Sequence, residues 1–252
     1  MAETVLYEVR DRVAWLTLNR PDSLNAQNEA MTHRLIELFA EISRDNNVLA
    51  AVISGAGERA FSSGADLKEV ATGRIDVMER TGGDSYPYVA KPIIAAVHGY
   101  CLAGGFELAL RCDIRIATPD AQFGLPEPRW SLLAGYGLHH LSRMVPLGEA
   151  LYIQLTGERI SAQRAHEIGV VQKIVPKEQL LAEAARIAGV IAQNAPLAVQ
   201  GIKKVVMNAR DMPVEYSWKF AKTIEQHVYA SEDFHEGPKS FAEKRKPQWK
   251  GK

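Results

Sequence analysis

The sequence predicts an α/β fold, and three observations carry that prediction. Short apolar runs at 49–55 ("LAAVISG"), 92–99 ("PIIAAVHG") and 113–118 ("DIRIAT") have the length and residue types of buried strands. Helix-period segments separate them, which calls for a sheet built by right-handed crossovers. After Gly135 the pattern is mostly helical.

Taken in order, Val5, Tyr7 and Val9 alternate with polar residues, and Val13, Trp15 and Thr17 do so again, predicting an opening β-hairpin. "NRPDSLNA" (19–26) reads as a turn-rich loop. Met31, Leu35, Leu38, Phe39 and Ile42 place a helical stripe on 28–44. Residues 67–90 are polar and read as a mobile helical loop. A helix starts at Gly104, and 121–124 is a strand fragment. "GEALYIQLTG" and "SAQRAHEIG" each end on a glycine, a common helix stop. Residues 171–176 read as one more strand. Helices follow at 178–193, 196–209 and 213–230, the first carrying an apolar stripe of Leu180, Leu181, Ala184, Ile187, Ala188 and Ile191. One small sheet cannot cover three such helices, so they are expected to pack on each other and on neighbouring subunits. No tandem repeat has a fixed period.

The chain has 252 residues, 46% hydrophobic and 24% charged, an ordinary globular balance. Thirty basic residues cancel thirty acidic ones, without the basic excess of a nucleic-acid binder. Cys101 and Cys112 read as small buried hydrophobes, and with no CxxC pair a structural metal is not expected. The N-terminus does not resemble a targeting segment, and no apolar run approaches the roughly 20 residues that span a membrane. The expectation is a cytoplasmic protein with no membrane or nucleic-acid partner.

Three segments could carry chemistry. "AFSSGADLKE" (60–69) follows a buried strand, and its small residues let a ligand approach bare N–H groups. In "HGYCLAGGFELAL" (98–110), Gly104 sits where a helix starts and Glu107 lies three residues on, so a backbone donor and a carboxylate share one face. In "AQFGLPEPRW" (121–130), Pro126 and Pro128 restrict the backbone around Glu127. Taken singly, each has an ordinary structural explanation: a capped loop, a first-turn carboxylate, an exposed glutamate.

Together and in order, "NRPDSLNA", "AFSSGADLKE", "KPIIAAVHGYCLAGGFELALRCDIRIA", "AQFGLPE", "LTGERISAQRAHEIGVVQKIVP" and "EGPKSFAEKRKPQW" resemble the enoyl-CoA hydratase/isomerase (crotonase) family over nearly the whole chain. The resemblance implies a crotonase-like spiral of ββα repeats over 1–195 with an acyl-CoA site. It also implies a helical trimerisation region over 196–252, forming a trimer or a hexamer. Backbone N–H groups of Ala65 and Gly104 would form an oxyanion hole for the thioester carbonyl. Asp22, Ser23, Leu24 and Ala26, with Ser63, Gly64, Asp66, Leu67 and Lys68, would line the CoA. Phe241 and Lys244 would help hold its phosphates across a subunit interface.

Hydratase-like members have two glutamates, which match Glu107 and Glu127, so the implied reaction is reversible syn addition of water to a 2-enoyl-CoA. No cofactor is implied, coenzyme A being part of the substrate. Alternatives are double-bond isomerisation, dehydration of a hydroxyacyl-CoA, thioester hydrolysis, or a non-catalytic RNA-binding homologue. The chain departs from the family's glycine-rich pattern at 128–143: Ser131 replaces a glycine, Ala134 a proline, and Tyr136 and Leu138 stand where small residues are usual. Trp130 and Tyr136 are expected to reshape the acyl pocket. Ala103 and Phe106 are smaller departures. The adjacent His139 and His140 are read as structural.

Overall fold

The computed structural model describes residues 3–75 and 86–252. The hairpin forms as the alternation predicts: β1 (Val5–Arg10) pairs antiparallel with β2 (Val13–Leu18). Asn28 caps α1 (Glu29–Arg44) by accepting from the Met31 N–H, and the predicted stripe of Met31, Leu35, Leu38, Phe39 and Ile42 is buried. Three successive turns then follow one plan. β3 (Ala50–Gly55) leads to β4 (Ala60–Ser62) and α2 (Leu67–Ala71). β5 (Ile93–Val97) leads to β6 (Tyr100–Leu102) and α3 (Gly104–Arg111). β7 (Ile114–Ala117) leads to β8 (Gln122–Gly124). Beyond them come α4 (Tyr136–His140), α5 (Leu147–Thr156), β9 (Ile160–Ser161), α6 (Ala162–Glu167), β10 (Lys173–Ile174), α7 (Leu180–Ala192), α8 (Pro196–Ala209), α9 (Val214–Tyr229) and α10 (Glu232–Ala242).

The first strand of each turn enters a six-stranded sheet of order β1-β2-β3-β5-β7-β10, parallel except for β1. The second strand of each turn enters a smaller sheet, β4-β6-β8-β9, in which β4, β6 and β8 are parallel. This is the spiral of repeated turns that the resemblance implies. The apolar runs of the large sheet are continuous because both its faces are covered. Ala14, Leu16, Ala51 and Ile53 enter one core with α1 and the small sheet, while Val13, Trp15, Ala50 and Val52 meet Leu180, Ala184 and Ala188 of α7.

The structure differs from the sequence expectation in several places. The strand expected at 171–176 pairs only at Lys173–Ile174, because the Val171 N–H is taken by Ala165 of α6. β4 and β6 are too short to show any periodicity and fall inside segments read as a turn and a helix approach. The helix α10 was not predicted; Ser231 caps it and Pro238 interrupts its pattern. The helical loop read at 67–90 lies partly outside the described residues, which place α2 in its first turn. At the C-terminus, Asp233 accepts from the N–H groups of Lys250 and Gly251 at 2.7 and 2.9 Å, and Trp249 donates to Gln193 at 2.7 Å. Both cysteines are buried and free, as expected.

One junction is strained. Ala103, between β6 and α3, sits at φ 50°, ψ −131°, a conformation that favours glycine. Its N–H donates to the Gly124 carbonyl at 2.9 Å and fixes it there. Ala103→Gly should therefore raise stability by about 1 kcal/mol, the strain relieved exceeding the extra freedom of the unfolded chain. Urea denaturation measures this, and a loss of stability instead would show that the methyl group is an asset to the junction.

Candidate active site

The C-terminal ends of β4, β6 and β8 lie side by side in the small sheet. Each runs directly into one of the three segments singled out in the sequence. Ligands of parallel α/β sheets gather at such ends. A cleft of about 570 Å³ opens there. Asp22, Ser23, Leu24 and Ala26 line it, with Ser63, Ala65, Asp66, Leu67 and Lys68. So do Gly104, Glu107, Glu127, Trp130 and Tyr136. Gly64 supports this wall from behind at φ +95°; a Cβ there would lie 2.5 Å from the Ala103 Cβ and 2.9 Å from the Gly104 nitrogen. Phe241 and Lys244 are the exceptions: neither lines the cleft, and Phe241 is 87% exposed on the last turn of α10.

Gly104 opens α3, so its N–H has no helical acceptor. A Cβ on Gly104 would lie 3.6 Å from the Ala65 nitrogen and 3.7 Å from the Gly64 Cα. The two N–H groups thus border one small space, and among the described residues neither has a protein acceptor. Two such donors, with the α3 dipole behind one of them, can stabilise negative charge developing on a carbonyl oxygen.

The two glutamates are in unlike surroundings. Glu107 is half-buried, and its Oε1 accepts from the Gly137 N–H of α4 at 2.8 Å. Glu127 starts a short 3-10 turn and is buried at 8% exposure, not displayed on a loop. Among the described residues its Oε2 is buried without a hydrogen-bond partner. Burial pushes the Glu127 carboxyl up to about 7; a hydrogen bond from its own backbone opposes this and the Glu107 charge adds to it. A carboxyl with that pKa is poised to give or take a proton near neutrality.

Several wall residues carried no clear signal in the sequence. Gln27 is buried at 2% exposure and ties the wall together: its N–H donates to the Gly64 carbonyl at 2.7 Å, its carbonyl accepts from Asp66, and its Nε2 donates to the Gly104 carbonyl at 3.1 Å. Asn25 is fully buried and spans from the Arg20 N–H to the Ala56 and Ala60 carbonyls. Asn25 lies within the quoted "NRPDSLNA" and Gln27 just after it, but nothing in their residue type marks them. Arg111 also lines the cleft, and here a signal existed: it follows Glu107 by four residues on the same helix face. His140 stacks on Tyr136 with centroids 3.6 Å apart, a structural role as expected. No group of three or more metal-ligating side chains occurs among the described residues, nor any helix long and apolar enough to cross a membrane.

Comparison with known proteins bears on this geometry. The family model described as enoyl-CoA hydratase/isomerase matches residues 8–252. The (E)-benzylidenesuccinyl-CoA hydratase of Thauera aromatica is 38% identical, covering 98% of this chain and 99% of its own. The short-chain-enoyl-CoA hydratase of Clostridium acetobutylicum is 34% identical, covering 96% and 95%. The crystal structure of enoyl-CoA hydratase from Bacillus anthracis superposes with a TM-score of 0.93 at 34% identity, covering 99% of this chain and 100% of that one. A paired-sheet spiral whose strand ends carry these segments, matched end to end by such relatives, makes this chain a member of the enoyl-CoA hydratase/isomerase family.

Proposed function

We propose that the protein is an enoyl-CoA hydratase that adds water reversibly, and syn, across the C2=C3 bond of a 2-enoyl-CoA thioester. One observation carries the reading: Glu107 and Glu127 line the same cleft as the paired N–H groups of Ala65 and Gly104. The thioester carbonyl accepts from those two donors. Glu107 orients the water and takes its proton as the oxygen bonds to C3. Electron density moves through C2 onto the carbonyl oxygen, and Glu127 delivers a proton to C2. Overall one water is added, and the pair ends with the proton it began with, on the other partner. Dehydration is the same path reversed. Because the pair shares its protons, the active form in either direction is the one holding a single proton.

The backbone of 63–68 and the loop at 22–26 flank the coenzyme, with no metal or nicotinamide cofactor needed. Residues 1–195 form the catalytic spiral and 196–252 the oligomerisation region of a trimer or hexamer. Exposed Ile202 and Val206 on α8 and Trp218 on α9, at 64%, 62% and 71%, support that assignment. Phe241 and Lys244, away from the cleft of their own chain, serve a neighbouring subunit's coenzyme. Two free buried thiols fit a cytoplasmic setting.

Glu107→Gln and Glu127→Gln should each lower kcat for crotonyl-CoA hydration by roughly 10²–10⁴-fold. Near-wild-type turnover in both variants would overturn the two-glutamate mechanism. In the wild type, kcat/KM should fall above about pH 7, where the pair loses its last proton, with the same alkaline limb for hydration and dehydration. Stability gives an independent reading of Glu127. Its folded pKa is raised from 4.5 to about 7, so the unfolded state ionises first and stability is lost as pH rises between those values. Glu127→Gln removes this cost, so its stability relative to wild type should improve by on the order of 3 kcal/mol between pH 4 and pH 8. Chemical denaturation at the two pH values tests it.

A further inference from the structure

The turn that ends α10 holds a lysine where glycine is the usual residue. Lys244 follows the helix at φ 52°. Its N–H donates to the Phe241 carbonyl at 3.2 Å, and the Arg245 N–H donates to the Ser240 carbonyl at 3.1 Å. That pair of bonds makes the helix ending whose left-handed position glycine normally fills. A lysine there accepts backbone strain that glycine would avoid, and such strain persists only where neighbouring contacts over-determine the conformation. Here an ion pair does so. Arg245 sets its fork on Glu236, one donor 2.6 Å from Oε1 and another 2.9 Å from Oε2. Its Nε donates to Glu243 at 2.6 Å, and Glu236 Oε1 also accepts from the Gln248 N–H at 2.7 Å. Glu236 therefore ties both the turn and the tail beyond it to α10. An exposed ion pair is usually worth little, but a bidentate one joined to a network is the exception. Lys244 itself is exposed and has no carboxylate partner among the described residues. It stands three residues past Phe241, whose ring is 87% exposed. A cation held close to a bare aromatic ring suits the phosphate and the base of a nucleotide.

We propose that Arg245 is a positioning residue: paired with Glu236, it holds Lys244 in the strained turn that presents its ammonium to the nucleotide end of a neighbouring subunit's coenzyme. This rests on the reading that Lys244 serves that coenzyme, so the two residues are tested separately and together. Lys244→Gln should raise KM for crotonyl-CoA roughly tenfold or more and leave kcat unchanged. Arg245→Gln should raise it roughly three- to tenfold, the cost of ordering a side chain that is no longer held in advance. Neither should change KM for crotonyl-pantetheine, which lacks the nucleotide. The double variant should be no worse than Lys244→Gln alone, because Arg245 acts through Lys244. If Arg245→Gln does not fold, Glu236→Gln takes its place with the same expectations. Lys244→Gly should unfold at a higher urea concentration than the wild type while its KM for crotonyl-CoA rises, which separates binding from stability. A wild-type KM in Lys244→Gln would remove the coenzyme reading and the proposal with it. A raised KM there beside an unchanged one in Arg245→Gln would overturn the positioning role alone. So would additive effects in the double variant, which would place the guanidinium itself on the phosphates, or a Lys244→Gly variant less stable than the wild type.

Discussion

The site depends on how closely two backbone segments approach each other at Gly64 and Gly104. A methyl group on Gly64 would collide with Ala103 and with the Gly104 nitrogen. One on Gly104 would enter the space between the two N–H groups. The approach is imposed by β4 and β6, parallel neighbours three residues long, which leave no slack between ladder and loop. Gln27 then clamps both segments, and Asn25 ties the preceding loop to the end of the Gly55–Ala60 turn. Polar groups that deeply buried are tolerated because each is paired, and the pairing makes the wall rigid. An oxyanion site gains from such rigidity because its donors need no rearrangement when charge develops.

The same wall gives two glutamates different characters. Glu107 accepts from a backbone donor of α4. Glu127 is buried, with one oxygen lacking a donor among the described residues, and burial favours its neutral form. Environments that separate the behaviour of two carboxyls are what assign one to receive a proton and the other to give it. The asymmetry depends on α4, a short helix outside the small sheet, being placed so that Gly137 reaches Glu107. A Cβ on Gly137 would lie 2.8 Å from the Cδ1 of Leu125, so a larger residue there would have to push that buried side chain aside.

The sequence revealed the layered elements and the three cleft-lining segments because each has a physical signature at short range. Strands covered on both faces read as apolar runs, α1 read as a stripe, and Gly104 with Glu107 read as a helix start bearing a carboxylate. What stayed hidden has its cause in tertiary contacts. β4 and β6 exist because they pair with each other and with β8, not because three residues have a pattern. Gln27 and Asn25 look like loop polar residues until their partners, up to 77 positions away, are brought to them. The burial of Glu127 could not be read from two flanking prolines. The spiral itself came from family resemblance, since alternating strands and helices fit several α/β architectures.

The departures from the family pattern form two groups with different physics. Ser131 and Ala103 both lie at positive φ, 57° and 50°, a region that favours glycine. There the fold accepts the strain, so the backbone path around the cleft is held against the local preference of the residue. Tyr136 is another matter, because it adds a surface where a small residue would leave space. That surface is the one on which Arg111 stacks, and His140 backs it from the other side. Without the ring, a guanidinium on α3 would lose the nearer of the two tyrosines beside it. The change in the loop and the charge on the helix therefore meet in one stacked contact on the cleft wall.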